Sequence, residues 1–122
     1  NWPKNLANPY IVSASEKLLS KFSEFKKGIT ATASGFYAPQ GRELRIKPAI
    51  EDLHQKMNIF KFEGNRITNF EMETSALYFL GKSLGHNTLT ICAIIGNRIT
   101  QKQSKDYKKT VDKLILAVLD KL

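Results

Sequence analysis

From Thr88 to Ile95, between Gly85 and Gly96, every residue is apolar or β-branched. Such a run predicts a strand buried on both faces, and strands of that kind belong to parallel sheets covered by helices on either side. The flanking segments fit that demand. Ser13-Ala14-Ser15-Glu16 has the spacing of a capping box, with Ser13 accepting from the Glu16 amide; Leu18, Leu19, Phe22 and Phe25 follow at helical spacing, and Gly28 stands where the helix would end. The β-branched residues Ile29, Thr30 and Thr32 predict a strand over 29–34, and the loss of periodicity over 35–48 predicts a loop. A short helix over 49–57 carries Ile50, Leu53 and Met57 on one side; a strand over 67–70 and a helix over 74–84, stopped by Gly85, come next. Tyr107, Val111, Leu114, Ile115, Val118, Leu119 and Leu122 form one helical stripe at the end. Strands alternating with helices give an α/β fold class, a mixed and mainly parallel sheet flanked by helices. Phe22, Phe25, Phe60, Phe62, Phe79 and the last stripe offer more apolar surface than about three strands can cover, so the order reads as the second half of a larger sheet.

The chain has 122 residues, room for one ordinary domain, and its 42% apolar and 25% charged composition is globular rather than disordered. No apolar run approaches the ~20 residues of a membrane span, and Asn1-Trp2-Pro3-Lys4 is not a signal peptide. A single cysteine, Cys92, excludes an internal disulfide framework and a cysteine-based zinc site, and fits a cytoplasmic location. The chain opens without Met in loop-like residues, as a piece of something longer would.

Nineteen Lys and Arg against eleven Asp and Glu leave a net charge of +8, which admits a small basic module for RNA or another polyanion as an alternative function. The distribution argues against nucleic acid. Lys17, Lys21, Lys26, Lys27, Lys108, Lys109 and Lys113 are scattered beside Glu16, Glu24, Asp106 and Asp112, with no basic block interleaved by aromatics.

Three segments carry groups suited to chemistry. In Gly35-Phe36-Tyr37-Ala38-Pro39-Gln40-Gly41-Arg42, the Phe36 ring offers a flat face, Gln40 an amide donor and acceptor, and Arg42 a fork of donors. These suit a planar heterocycle, though spacing alone equally describes a turn with a surface arginine. In Asn69-Phe70-Glu71-Met72-Glu73, two carboxylates two residues apart share a face if the strand continues, and a carboxylate can accept from both hydroxyls of a diol. A Glu pair at a strand end is most often solvated, but Phe70, Met72 and the apolar helix after them predict a buried junction there. Arg98 follows Gly96-Asn97 at the end of the apolar run, either at the ligand crevice of an open sheet or in solvent. His54 and His86 lack partners at metal-ligand spacing and read as surface imidazoles; Cys92 reads as an inert apolar-run residue. No glycine-rich phosphate loop of the GxxxxGK or GxGxxG type occurs.

In order and spacing, Phe36-Tyr37 with Gln40 and Arg42, then Asn69-Phe70-Glu71-Met72-Glu73, then Ala93-Ile94-Ile95-Gly96-Asn97-Arg98 resemble the nucleoside phosphorylase superfamily, the uridine phosphorylase branch most closely. The resemblance runs from about Gly28 to the end of the chain. It implies that residues 1–122 are the C-terminal portion of one such domain, with the N-terminal, phosphate-binding half absent. By resemblance, Arg42 and Glu73 are catalytic; Phe36 stacks on the base, Gln40 and Arg42 read the uracil edge, and Arg98 supports that pocket. Glu73 would hold the ribose hydroxyls, with Met72 against the sugar and Glu71 at the same wall. The implied reaction is phosphorolysis of uridine to uracil and ribose 1-phosphate, with inorganic phosphate as co-substrate and no cofactor or metal. Purine-specific relatives place an acid near Gly96-Asn97; its absence favours a pyrimidine. The family also implies a homo-oligomer whose neighbouring subunits complete the sites, and a chain inactive without its N-terminal half.

Overall fold

The computed structural model describes residues 8–122; the Asn1–Lys4 opening lies outside them. Helix α1 spans Glu16–Lys21, strand β1 Ile29–Thr32, helix α2 Leu53–Ile59, strand β2 Lys61–Phe62 and strand β3 Asn65–Glu71. Helix α3 follows at Thr74–Ser83, then β4 at Gly96–Asn97, β5 at Lys102–Gln103 and α4 at Tyr107–Leu119. β1 and β3 run parallel, with Thr30 opposite Asn69, Ala31 opposite Phe70 and Thr32 opposite Glu71. β2 adds antiparallel on the other side of β3, so the order is β1-β3-β2. A mixed sheet flanked by helices is the α/β class that the alternation of elements predicts.

The β2–β3 hairpin, absent from the sequence reading, turns through Glu63 and Gly64, both at positive φ (47° and 76°). Two such residues match the right-handed twist of the flanking strands. After β3 the chain enters α3, and its stop is the one Gly85 predicts. Gly85 sits at φ 76°, its amide donates to the Lys82 carbonyl and the His86 amide donates to Gly81 at 2.7 Å. That pair of bonds closes a Schellman motif.

The start of α1 differs from expectation. Ser15, not Ser13, precedes the helix, and no side chain caps it. The Ser15 amide donates to the Thr88 carbonyl at 2.9 Å and its hydroxyl to Asn87 Oδ1 at 2.7 Å, so its polar groups tie α1 to the segment after α3 instead. The helix ends at Phe22, well short of Gly28. Gly28 instead packs so closely on the Thr68 side chain that a Cβ there would collide with it.

The apolar run Thr88–Ile95 is not a strand. A strand buried on both faces needs a ladder partner and a layer on either side. Here the run is tethered at isolated points: the Thr90 amide donates to the Tyr78 hydroxyl at 2.8 Å, and Ser104 donates to the Ile95 carbonyl at 2.8 Å. Residues 88–93 are half-buried, while Ile94 and Ile95 are exposed. On α4, Val111, Leu114 and Val118 are half-covered, whereas Tyr107, Ile115, Leu119 and Leu122 face outward. Phe22, 6% exposed, is the one large apolar side chain that is buried among the described residues.

Candidate functional site

The parallel pair β1–β3 ends at Thr32 and Glu71, and the segments leaving these two strand ends carry the first two blocks singled out in the sequence. Ends of parallel strands, where the chain departs in diverging directions, form the natural crevice of an α/β sheet. After β1 the chain reaches a single 3₁₀ turn, Ala38–Gln40, opened by Pro39 and closed by Gly41 at φ 72°. The Arg42 amide donates back to the Tyr37 carbonyl at 2.9 Å. The turn therefore places Gln40 inward, 3% exposed, with Arg42 half-buried beside it.

Two arginines converge on Gln40. Arg42 Nη1 donates to Gln40 Oε1 at 3.0 Å. From 58 positions away, Arg98 Nη1 donates to the Gln40 carbonyl at 3.0 Å, and its Nη2 donates to the same Oε1. Arg98 projects not from a strand end but from the turn of the β4–β5 hairpin, where Asn97 Oδ1 accepts from the Ile99 and Thr100 amides at 3.0 Å each. An amide oxygen engaged by two guanidinium donors leaves the NH₂ of Gln40 as the group able to face a ligand. Arg42 also lies over the Phe36 ring, Cζ 3.6 Å from its centroid, and donates to the Phe36 carbonyl. Phe36 is 52% exposed and meets Tyr37 edge to face at 5.3 Å. Partial burial and the neighbouring Arg42 charge lower the Arg98 guanidinium from its usual value.

The acidic block divides into two roles by geometry. Glu71 Oε2 accepts from the Glu73 and Thr74 amides at 2.7 and 2.6 Å, while Oε1 accepts from the Thr32 hydroxyl. Partial burial pushes its carboxyl up, but the Thr32 hydroxyl and the two amides outweigh burial and hold it below the usual carboxylate range. Glu71 thus satisfies the orphan amides at the start of α3 and links that start to β1. Glu73 stands at the N-cap of α3, exposed, one oxygen accepting from the Met72 amide at 3.2 Å. Met72 is exposed as well. The junction is therefore half open rather than buried as expected, because β3 passes into α3 at the surface and only Glu71 and Thr74 turn inward. Cys92 is half-buried, and burial raises its thiol, in keeping with an inert residue.

His54, read from the sequence as a surface side chain, belongs to this cluster. Half-buried on α2, it meets Phe70 edge to face at 6.0 Å, and a Cβ on Gly41 would come within 2.9 Å of its Nε2. Arg98 lies 5.3 Å above the same Phe70 ring. No periodicity signals this placement, since it depends on α2 packing against β3 under a turn from elsewhere.

A family model described as the phosphorylase superfamily matches residues 3–120. A curated uridine phosphorylase from Thermococcus kodakarensis is 34% identical over 89 residues, covering 67% of this chain. The chain corresponds to 29% of the length of that relative. No solved structure matches the chain significantly.

Proposed function

The chain belongs to the phosphorylase superfamily, and from that premise we propose that it supplies the base and ribose sides of a uridine phosphorylase site, splitting uridine with inorganic phosphate into uracil and ribose 1-phosphate. The observation that carries the reading is the convergence of Arg42 and Arg98 on Gln40. Phosphorolysis builds negative charge on the departing uracil and positive charge on the sugar. Preorganised donors aimed at the leaving group stabilise that charge as it develops, where they count for more than in the ground state. With its oxygen held by both arginines, Gln40 presents its NH₂ to a base carbonyl, and Arg42 adds guanidinium donors. Arg42 covers one face of Phe36, so the base stacks on the other.

Glu73, free of the strand-to-helix bonds that hold Glu71, accepts from the ribose diol, and Met72 packs on the sugar. Glu71 acts on this wall by fixing the backbone of Glu73. Phosphate would be held by residues outside this stretch, since no glycine-rich phosphate segment occurs in it, and subunits of a homo-oligomer would complete the sites. The reading is tested by phosphate-dependent release of uracil from uridine by the full protein. Turnover of uridine but not of inosine supports it; preference for the purine nucleoside overturns it.

A further inference from the structure

We propose that His54 is a positioning residue of the base pocket, its imidazole seating the Gln40–Arg42 turn against Arg98. This rests on the base-pocket reading above. The imidazole occupies the space that any side chain at position 41 would need, so the turn closes directly on its Nε2 edge. Gly41 is required twice over, by its φ of 72° and by this contact. On its other side the ring meets Phe70 edge to face, and Phe70 in turn lies beneath Arg98. One half-buried imidazole therefore touches the turn carrying Gln40 and Arg42 and the ring supporting Arg98.

The charged groups facing His54 are Arg98 from the β4–β5 hairpin and Arg42 from the turn, while the Gly41 backbone closes on the ring. Burial, then Arg98, lowers the imidazole from its usual value, with Arg42 adding to the effect and the Gly41 backbone opposing it. The neutral ring is thus the form that fits between two guanidiniums at neutral pH. Protonation places a third positive charge beside them and drives the turn away from the ring.

The experiment measures the affinity of the full protein for free uracil, which has no titrating group between about pH 5 and 8, in the parent and in His54→Gln, His54→Ala and Arg42→Ala. In the parent, affinity should fall as pH drops through the lowered His54 value. His54→Gln keeps a neutral polar side chain that can donate to Gly41, so it should bind like the parent at neutral pH and lose the acid-side fall. His54→Ala leaves the turn unsupported and should weaken uracil about tenfold at every pH. A parent profile flat across the range, a His54→Gln profile that keeps the acid-side fall, or a His54→Ala affinity equal to the parent overturns the role. If Arg42→Ala also binds uracil like the parent, the base-pocket reading itself falls; if Arg42→Ala alone loses uracil, only the assignment of His54 does.

Discussion

Gln40 is the most constrained polar residue of the site: buried, with both its carbonyl and its side-chain oxygen held by arginines. In the proposed base pocket, removing Arg42 takes away donors that strengthen as charge grows on uracil, so Arg42→Ala should lower the chemical rate more than ground-state binding, by ~2.7–4 kcal/mol of barrier. Glu73→Gln keeps the shape but gives the ribose a neutral acceptor. It should weaken uridine strongly and leave free uracil nearly unchanged, whereas Arg42→Ala weakens both; titrating the two variants with each ligand separates base from sugar. Loss of uracil binding in a folded Glu73→Gln protein would remove Glu73 from the sugar side. Glu71 gives a prediction about stability. Its carboxyl is held below the usual range in the folded protein, so its contribution is complete above the unfolded carboxylate pKa and disappears as pH falls through the lower, folded value. Glu71→Gln should therefore flatten the acid limb of an unfolding-midpoint profile measured against pH. It should also cost about 1 kcal/mol at neutral pH, the usual worth of a helix cap.

At the scale of elements, the sequence was readable wherever local chemistry decides and opaque wherever a distant partner does. Gly85 marks the end of α3 because the Schellman motif needs a left-handed residue at that one position, a demand met within six residues. The Ser13–Glu16 capping box has the right spacing and does not form, because α1 starts at Glu16 with Ser15 as its N-cap, and Asn87 and Thr88 take the Ser15 hydroxyl and amide. The convergence of the Arg98 and Gln40 blocks was legible through resemblance alone, since nothing in their spacing brings positions 58 apart together. His54 was missed because its neighbours come from the loop after β1 and from β3. The glycines allow the local and distant effects to be separated. Gly85→Ala meets no neighbour and strains only the backbone, so urea unfolding should show a loss of about 1–2 kcal/mol. Gly81→Ala adds a methyl in favourable helical backbone, yet that methyl collides with the Thr88 side chain. The same titration should show a loss despite the gain in helix propensity. Pairing Gly81→Ala with Thr88→Ser, which removes the nearest methyl, should recover most of it.

For the whole molecule, the decisive quantity is apolar surface. The chain exposes 9990 Å², against roughly 6,600 Å² for a compact domain of its size. Twenty-two large apolar or aromatic side chains lie open among the described residues, with one, Phe22, buried. Half of them gather on consecutive elements: Leu77, Phe79, Leu80 and Leu84 around α3, Ile94, Ile95 and Ile99 near the β4–β5 hairpin, and Ile115, Leu116, Leu119 and Leu122 on and just after α4. Surface of that extent is normally covered by protein. It also accounts for the apolar run: Thr88–Ile95 has the composition of a central strand but has no ladder partner among the described residues. The +8 charge, by contrast, comes from lysines and arginines dispersed along the whole sequence, and binding of RNA through them should be weak and fade steeply with salt. A filter-binding series that gave tight, sequence-selective retention at physiological salt would reverse the assignment to a phosphorylase site. The apolar surface and the site lead to the final prediction. Groups that hold base and sugar in register accelerate the reaction only if the attacking oxyanion is held in register as well, and much of the rate lies in that positioning. Residues 1–122 alone should therefore bind uracil weakly, associate through their apolar faces in sedimentation, and release no uracil from uridine and phosphate. On the proposed reading, supplying an N-terminal phosphorylase half as a separate polypeptide should restore both a monodisperse particle and turnover, because that half would cover the surface that self-associates. Turnover by residues 1–122 with no other polypeptide present would mean that the phosphate is held within this stretch, and would move the search for its ligands to the arginines and amides of the chain itself.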